Sequence, residues 1–311
     1  MINISIRENP EMYFDYRKGL RFLADLICDV DTRTAKEVTY FHLYTEVRTP
    51  KEELAIKSYL ATQDLVRTKL IVWSDYDISD QENIQDYTPF VEFKVYNPKE
   101  LAKGTVLEGM DSHLEPGGDH NHWMSSGVMR FLVLYVYGGI YFDMDMVLLR
   151  DFTPILGQDF AYQWGGSTDF AKERRHEEDC HGPCAALVGC RKGSEFIHEC
   201  LAQVARTELT GGTCLDEDLL SYVYRIVPFT VFPSTFFNTE WLMSKVDQPL
   251  SVEVEESWFS KELKDLDNLF LDAFSWHWHN SSNKSKDFVK GSKFDLLNKR
   301  MDRLIYWRLD I

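Results

Sequence analysis

The sequence predicts an α/β protein, with a mostly parallel sheet, helices on both faces, and helical additions at each end. Three observations carry that expectation. Short apolar runs alternate with helix-period segments across residues 38–96, the mark of strand–helix–strand crossovers. Polar residues follow the apolar runs at Thr45, Ser74-Asp75 and Asp143, and ligands of such sheets bind beyond the carboxyl ends of the strands. Finally, residues 126–145 combine an apolar helix, a double glycine and a strand that ends in two aspartates.

Taken in order, residues 1–36 read as helical, with Leu20, Leu23, Ala24, Ile27 and Cys28 on one face. They form an N-terminal extension to a core domain at residues 37–283. Residues 38–45 are the first strand, and residues 51–62 a helix after Pro50, since proline suits a first helical turn. Residues 69–73 are a buried strand and residues 91–96 a third. Residues 109–122 read as a loop, where His113, Asp119, His120 and His122 either serve a polar turn or touch a metal or acceptor. Val128 to Tyr137 is too apolar for a solvated face, and too short for the roughly 20 apolar residues a bilayer needs. Gly138-Gly139 ends that helix, because glycine tolerates the left-handed conformation. Ile140 to Phe142 is a strand, whose alternation would put Asp143 and Asp145 on one side and Met144 on the other.

Residues 169–184 read as a charged loop, residues 192–206 as a helix, and residues 225–233 as a strand region flanked by prolines. Asp216, Glu217 and Asp218 precede an apolar run. They are either acids at a helix start or a source of one carboxylate that positions a substrate group. Trp276-His277-Trp278-His279 is either an amphipathic strand or part of a site. Residues 284–311 turn basic and form a helical tail packed on the core.

Composition bounds the function. The chain has 311 residues, enough for one large domain with appendages. Its 44% hydrophobic and 27% charged residues suit a soluble globular protein. A net charge of −16 argues against nucleic acid, which requires a basic face, and against anionic membranes. Residues 1–16 carry Arg7, Glu8, Glu11 and Asp15 and so do not read as a signal peptide. No segment reads as transmembrane, so a cytoplasmic enzyme is expected, with the lumenal domain of an anchored protein as the alternative. Cys180, Cys184, Cys190, Cys200 and Cys214 cluster, but with no standard zinc spacing. Free buried thiols are the favoured reading and a disulfide the second.

The chemistry concentrates around Arg130, the only charge between Trp123 and Asp143. A cation in an apolar stretch must be paired. Two carboxylates one residue apart coexist best around a cation, and hard oxygens suit Mg²⁺ or Mn²⁺ with substrate phosphates completing the shell. The planar fork of an arginine suits a diphosphate. Together these point to a metal-bridged nucleotide diphosphate with Arg130 beside it. The competing reading is a core helix followed by two surface aspartates. The arginine and the Gly-Gly-x-Tyr-x-Asp-x-Asp context favour the first.

Ser126, Arg130, Leu134, Tyr135, Gly138, Gly139, Tyr141, Asp143 and Asp145 resemble the sugar-binding DXD region of glycosyltransferase family 32. That family includes α1,4-galactosyltransferases, the yeast initiating α1,6-mannosyltransferase and bacterial capsule enzymes. The chain departs at Gly127, where the family usually has an aspartate that helps hold the donor sugar. Weaker echoes lie in residues 38–45, 225–233 and 276–281.

The resemblance implies a GT-A type, Rossmann-like fold and transfer of a hexose or pentose from a nucleotide diphosphate sugar to a glycan hydroxyl, with retention. UDP is the favoured nucleotide and GDP the other. Mn²⁺ or Mg²⁺ would sit on Asp145 and Asp143, with His277 near. The candidate reacting residues are Asp143, Asp145 and Arg130; no nucleophile is assigned, and if a carboxylate assists, Asp216 and Asp218 are the first candidates. The implied donor contacts are His42, Tyr44, Thr45, Ser126, Arg130, Tyr141, Asp143, His277, Trp278, Ser281 and Lys284. Among these, His42 or Tyr44 would stack on the base, and His277 and Trp278 would cover the phosphates. Gly127 motivates one alternative, a sugar-nucleotide-binding protein without catalysis. A nucleotide-sugar hydrolase is the other.

Overall fold

The computed structural model describes residues 38–114, 121–164, 182–209, 215–232, 234–238, 259, 273–283 and 285–309, with the backbone alone at 121–125, 235, 281 and 282. The expected N-terminal helix, Lys284 and most of the charged loop at 169–184 lie outside these residues. Four strands, β1 (Thr39–Tyr44), β2 (Thr68–Ser74), β3 (Val91–Val95) and β4 (Gly139–Phe142), run parallel. With β6 (Phe160–Gln163), β7 (Pro183–Cys190) and β8 (Thr230–Phe232) they form a seven-stranded sheet in the order β3-β2-β1-β4-β7-β6-β8. Strand β7 is antiparallel to both its neighbours, and β8 returns parallel to β6. A separate ribbon pairs β5 (Met146–Leu148) with β9 (Ser275–His277).

Alternation along the strands divides the core between the two faces of the sheet. Phe41 and Leu43 of β1, and Ile140 and Phe142 of β4, pack on one face. Tyr40 and Tyr44, with Tyr141, pack on the other. Helix α1 (Pro50–Thr62) covers the first face. Thr49 caps it by accepting from the Glu52 amide, Pro50 opens it, and Glu52 and Glu53 suit its positive end. The short helices α2 (Pro98–Ala102) and α3 (Asp111–Leu114) precede α4 (Asn121–Tyr137). Helices α4, α5 (Glu195–Arg206) and α6 (Glu217–Tyr224) cover the second face.

Beyond β9 lie the single turn α7 (Asn280–Asn283) and the long α8 (Lys293–Leu309). Helix α8 turns Phe294, Leu297, Met301 and Ile305 inward against α1. Each such side chain is worth about 1.5–3 kcal/mol on burial, and Lys57 of α1 adds an ion pair to Asp302 of α8 at 2.8 Å. Arg308 donates to the Ala61 and Gln63 carbonyls at 2.7 and 2.8 Å, capping the end of α1. No described helix is long and apolar enough to cross a membrane.

The loop expected at residues 109–122 is shorter than the sequence suggested, because α3 occupies part of it and α4 begins at Asn121. Cys184, Cys190 and Cys200 are free, buried thiols, while Cys180 and Cys214 lie outside the described residues. His113 ties Ser112 Oγ to the Thr207 carbonyl through its two ring nitrogens, at 3.2 and 3.0 Å.

Candidate active site

Strand order reverses between β1 and β4, since the chain first steps to β2 and β3 and then returns to the far side of β1. Such a switch point opens a crevice at the carboxyl ends of the strands, and Asp143 and Asp145 lie there. The double glycine delivers them. Gly138, at φ 67°, closes α4 by donating to the Leu134 carbonyl at 2.8 Å. A Cβ on Gly139 would lie 1.9 Å from the Tyr40 carbonyl oxygen, so only glycine lets β4 enter beside β1.

The strand does not continue through the aspartates, as alternation had suggested. It ends at Phe142, and the Met146 amide folds back to the Asp143 carbonyl at 3.0 Å. This turn gives the carboxylates different partners. Asp143 Oδ1 accepts from Arg130 Nη2 at 2.9 Å. Asp145 Oδ2 accepts from the Asn280 amide at 2.7 Å and lies 3.1 Å from His277 Nε2.

Arg130 is buried on α4, with its guanidinium 4.8 Å from the Tyr141 ring centre. Burial opposes its charge, but Asp143 and the neighbouring acids outweigh burial and raise its pKa. Burial raises the pKa of Asp143 despite Arg130. Burial also works against ionisation of Asp145, yet His277 and the Asn280 amide hold it at about 2. The same pairing raises His277 against its own desolvation. Its other nitrogen, Nδ1, meets the Tyr162 hydroxyl at 3.1 Å, so His277 braces Asp145 from β9.

A divalent cation fits one feature of this arrangement. Asp145 Oδ1 is buried with no hydrogen-bond partner. An uncompensated carboxylate oxygen there is costly and suits a hard cation. No group of three metal-binding side chains gathers among the described residues. Such an ion would meet Asp145 Oδ1, with Asp143 nearby, and take most of its shell from phosphate oxygens and water. Both nitrogens of His277 are engaged, by Asp145 Oδ2 and the Tyr162 hydroxyl, so His277 braces the carboxylate and is not a ligand.

Asp216 stands at the start of α6, yet it does not cap that helix. Its Oδ1 accepts from the Ala185 amide of β7. Burial raises its pKa to about 6, against the pull of Arg130. Asp218 is exposed on the first turn of α6.

The remaining predicted residues divide. Tyr44 is half-buried at the end of β1 and donates to Asp75 Oδ1 at 2.5 Å. Thr45 Oγ1 accepts from the Val47 amide at 3.1 Å. Ser126 is half-buried one turn ahead of Arg130. The Ser281 side chain and Lys284 lie outside the description.

His42 and Trp278 are elsewhere than the resemblance implied. His42 is fully buried, with Nε2 donating to the Gly138 carbonyl at 2.9 Å and Nδ1 accepting from Trp73 Nε1 at 3.3 Å. Burial lowers its pKa to about 4, so it is a neutral core residue rather than a base platform. Trp278 is also fully buried, its ring 6.0 Å from that of Phe259. It therefore packs inside the fold instead of lying over the phosphates.

Sequence reading missed what holds the Asn280 amide in place. Lys51 donates to the Asn283 carbonyl at 2.6 Å and also to that of Lys286. Asn283 Nδ2 donates to the Trp278 carbonyl at 2.7 Å. His279, at φ 53°, supplies the turn, a conformation that a non-glycine residue keeps only when its surroundings enforce it. A lysine in a first helical turn gives no sequence signal of such a role. Tyr162 gives no clearer signal, since it lies on β6, whose four residues are too few to show a period.

The fold is that of an α/β, glycosyltransferase-like domain with a DXD turn at its switch point. Residues 50–161 match the family model described as "Glycosyltransferase sugar-binding region containing DXD motif". The matched segment runs from α1 to β6. Comparison with curated proteins gives no match.

Among solved structures, the glycosyltransferase GlyE of Streptococcus pneumoniae TIGR4 aligns with TM-score 0.50 at 12% identity, over 88% of this chain and 64% of its own. PaToxG glycosyltransferase aligns at 0.43 and 13% identity, over 80% of this chain and 94% of its own. Mouse xyloside xylosyltransferase 1 aligns at 0.41 and 12%, over 67% and 90%. At such identities the likeness concerns the fold alone, and the comparison with GlyE carries it.

Proposed function

We propose that this protein is a metal-dependent glycosyltransferase of the family 32 kind, moving a hexose or pentose from a nucleotide diphosphate sugar to a glycan hydroxyl with retention. UDP is the favoured nucleotide. The observation that supports this most is the unpartnered, buried Asp145 Oδ1 at the sheet's switch point, inside a matched DXD region. Mn²⁺ or Mg²⁺, when bound, would supply charge stabilisation for the leaving diphosphate.

The chain's own residues would do the rest. Asp145, braced by His277 and the Asn280 amide, presents one oxygen to the ion. Asp143 holds Arg130 in a fixed pose, and the guanidinium offers a preorganised positive group beside the diphosphate. Tyr44 and Asp75, hydrogen-bonded at the ends of β1 and β2, would contact the nucleoside. Asp216 would position the acceptor hydroxyl or the donor sugar as the sugar–phosphate bond breaks and the sugar–acceptor bond forms.

The test is calorimetry and thermal shift with UDP- and GDP-sugars, each with and without Mn²⁺. Manganese-dependent binding of one donor supports the proposal and names the nucleotide. A folded protein that binds none overturns it. Binding without turnover across a broad acceptor panel would mark a non-catalytic binding protein, and rapid release of free sugar without acceptor a hydrolase.

A further inference from the structure

Gly127 lies inside α4, where glycine costs about 1 kcal/mol relative to alanine. Its backbone is not left-handed, so its conformation does not require glycine. What favours it is a neighbour: a Cβ there would meet Leu215 Cβ and Cδ1, each at 3.2 Å, so Leu215 would have to give by a few tenths of an ångström. Leu215 immediately precedes Asp216. On the other side, Gly182 stands just before β7, and its Cβ would lie 2.9 Å from the Glu217 carbonyl oxygen and 2.2 Å from Ser221 Oγ. Glu217 immediately follows Asp216. The residues on both sides of this carboxylate are therefore seated against glycines. Asp216 Oδ1 then reaches the Ala185 amide, three residues beyond Gly182.

We infer that Gly127 is a positioning residue: by admitting Leu215 against α4, with Gly182 admitting the Glu217 backbone, it fixes the Asp216 carboxylate on the Ala185 amide of β7. The helix gives up propensity at Gly127 and gains a close approach of Leu215, two residues ahead of α6. Leu215 is buried, consistent with a seat and not a surface contact. This inference rests on the reading that Asp216 serves the reaction.

The test compares wild type, Asp216→Asn, Gly127→Ala, Leu215→Ala and the Gly127→Ala/Leu215→Ala double variant, each checked for folding by near-ultraviolet circular dichroism. One readout is the NMR titration midpoint of the Asp216 carboxyl, assigned with the Asn variant in ¹³C-aspartate-labelled protein. The other is kcat and KM for UDP release from UDP-glucose and UDP-galactose with Mn²⁺ and the broad acceptor panel of the functional test. Each single variant should move the midpoint and lower kcat about threefold, with KM unchanged within about threefold, because the Leu215 contact shifts by only a few tenths of an ångström. The double variant, in which the new methyl fills space that Leu215 leaves, should return both toward wild type.

Unchanged singles, or folded singles that the double variant fails to rescue, overturn the inference. If Gly127→Ala does not fold, Leu215→Ala and the double variant still decide it. If wild type turns over neither donor, the proposed transferase loses its support from these donors, while the titration alone still judges the glycine seat.

Discussion

Arg130→Met removes the cation from the Arg130–Asp143 pair while keeping an unbranched apolar side chain in the helix. The structure sets the magnitude. Side-chain exposures are 7% for Arg130 and 28% for Asp143. Breaking a buried pair from one side typically costs about 3–5 kcal/mol, because the other charge stays behind without compensation. Water reaches part of Asp143, so the lower end applies, roughly 3 kcal/mol. Against a typical domain stability of about 5–15 kcal/mol, the variant should still fold. Asp143→Asn keeps an acceptor for the guanidinium and should cost less, about 1–2 kcal/mol. The double variant should be more stable than the sum of the two losses predicts, by about 1–2 kcal/mol. Urea unfolding of all four proteins, without metal or nucleotide, measures the cycle. A loss below about 1 kcal/mol for Arg130→Met, or strict additivity, would refute the claim that this pair is a buried, coupled ion pair.

Asp145→Asn should lower Mn²⁺-dependent binding of UDP about tenfold or more while the protein remains folded, since the amide cannot replace a carboxylate ligand; calorimetry with and without Mn²⁺ reads this. For Asp216, with its pKa raised from 3.8 to about 6, an ionised role predicts an acid limb near pH 6 in kcat/KM that the Asn variant lacks. The stability sign is opposite: the folded state holds this proton more tightly, so stability contributed by Asp216 falls as pH rises through about 4 to 6, and Asp216→Asn should remove that slope in unfolding titrations. His42, lowered from 6.5 to about 4, contributes stability that is full above pH 6.5 and is lost as pH falls toward 4. The loss should reach about 3 kcal/mol and be absent in a folded His42→Gln variant, with Lys94 as the nearby charge that favours the neutral ring.

In the parallel half of the sheet, β1, β2 and β4 were legible because they are largely apolar runs, each followed by a polar residue at the site edge. The antiparallel half was not. Strand β7, Pro183–Cys190, is buried throughout and has no alternation to read, while β6 has four residues and too little length to register a period. Within the site, Arg130 and the two aspartates stood out because a lone cation in an apolar helix demands a partner. Family resemblance then misplaced His42 and Trp278. Aromatic and histidine residues suit a nucleotide pocket and a core equally well, and pattern cannot say which side of a strand meets ligand. The glycines were legible as helix breakers at 138–139, where φ is positive. Gly127 was not, since its constraint comes from Leu215, distant in sequence.

The turn at Asp143–Asp145 changes what the paired aspartates mean. On a strand, two carboxylates on one side would share an ion and would repel without it. Here Asp143 spends an oxygen on Arg130, and Asp145 spends one on the Asn280 amide and His277. Each pairing lowers the cost of holding charge before any ligand arrives. One carboxylate then fixes an arginine on α4, and the other keeps Oδ1 free for a cation. The C-terminal segment is thus required even though Trp278 does not line the site. Lys51 and Asn283 fix the bend at His279, the bend aims the Asn280 amide, and that amide helps keep Asp145 ionised. Loss of Lys51 would therefore reach the Asp145 carboxylate through the backbone.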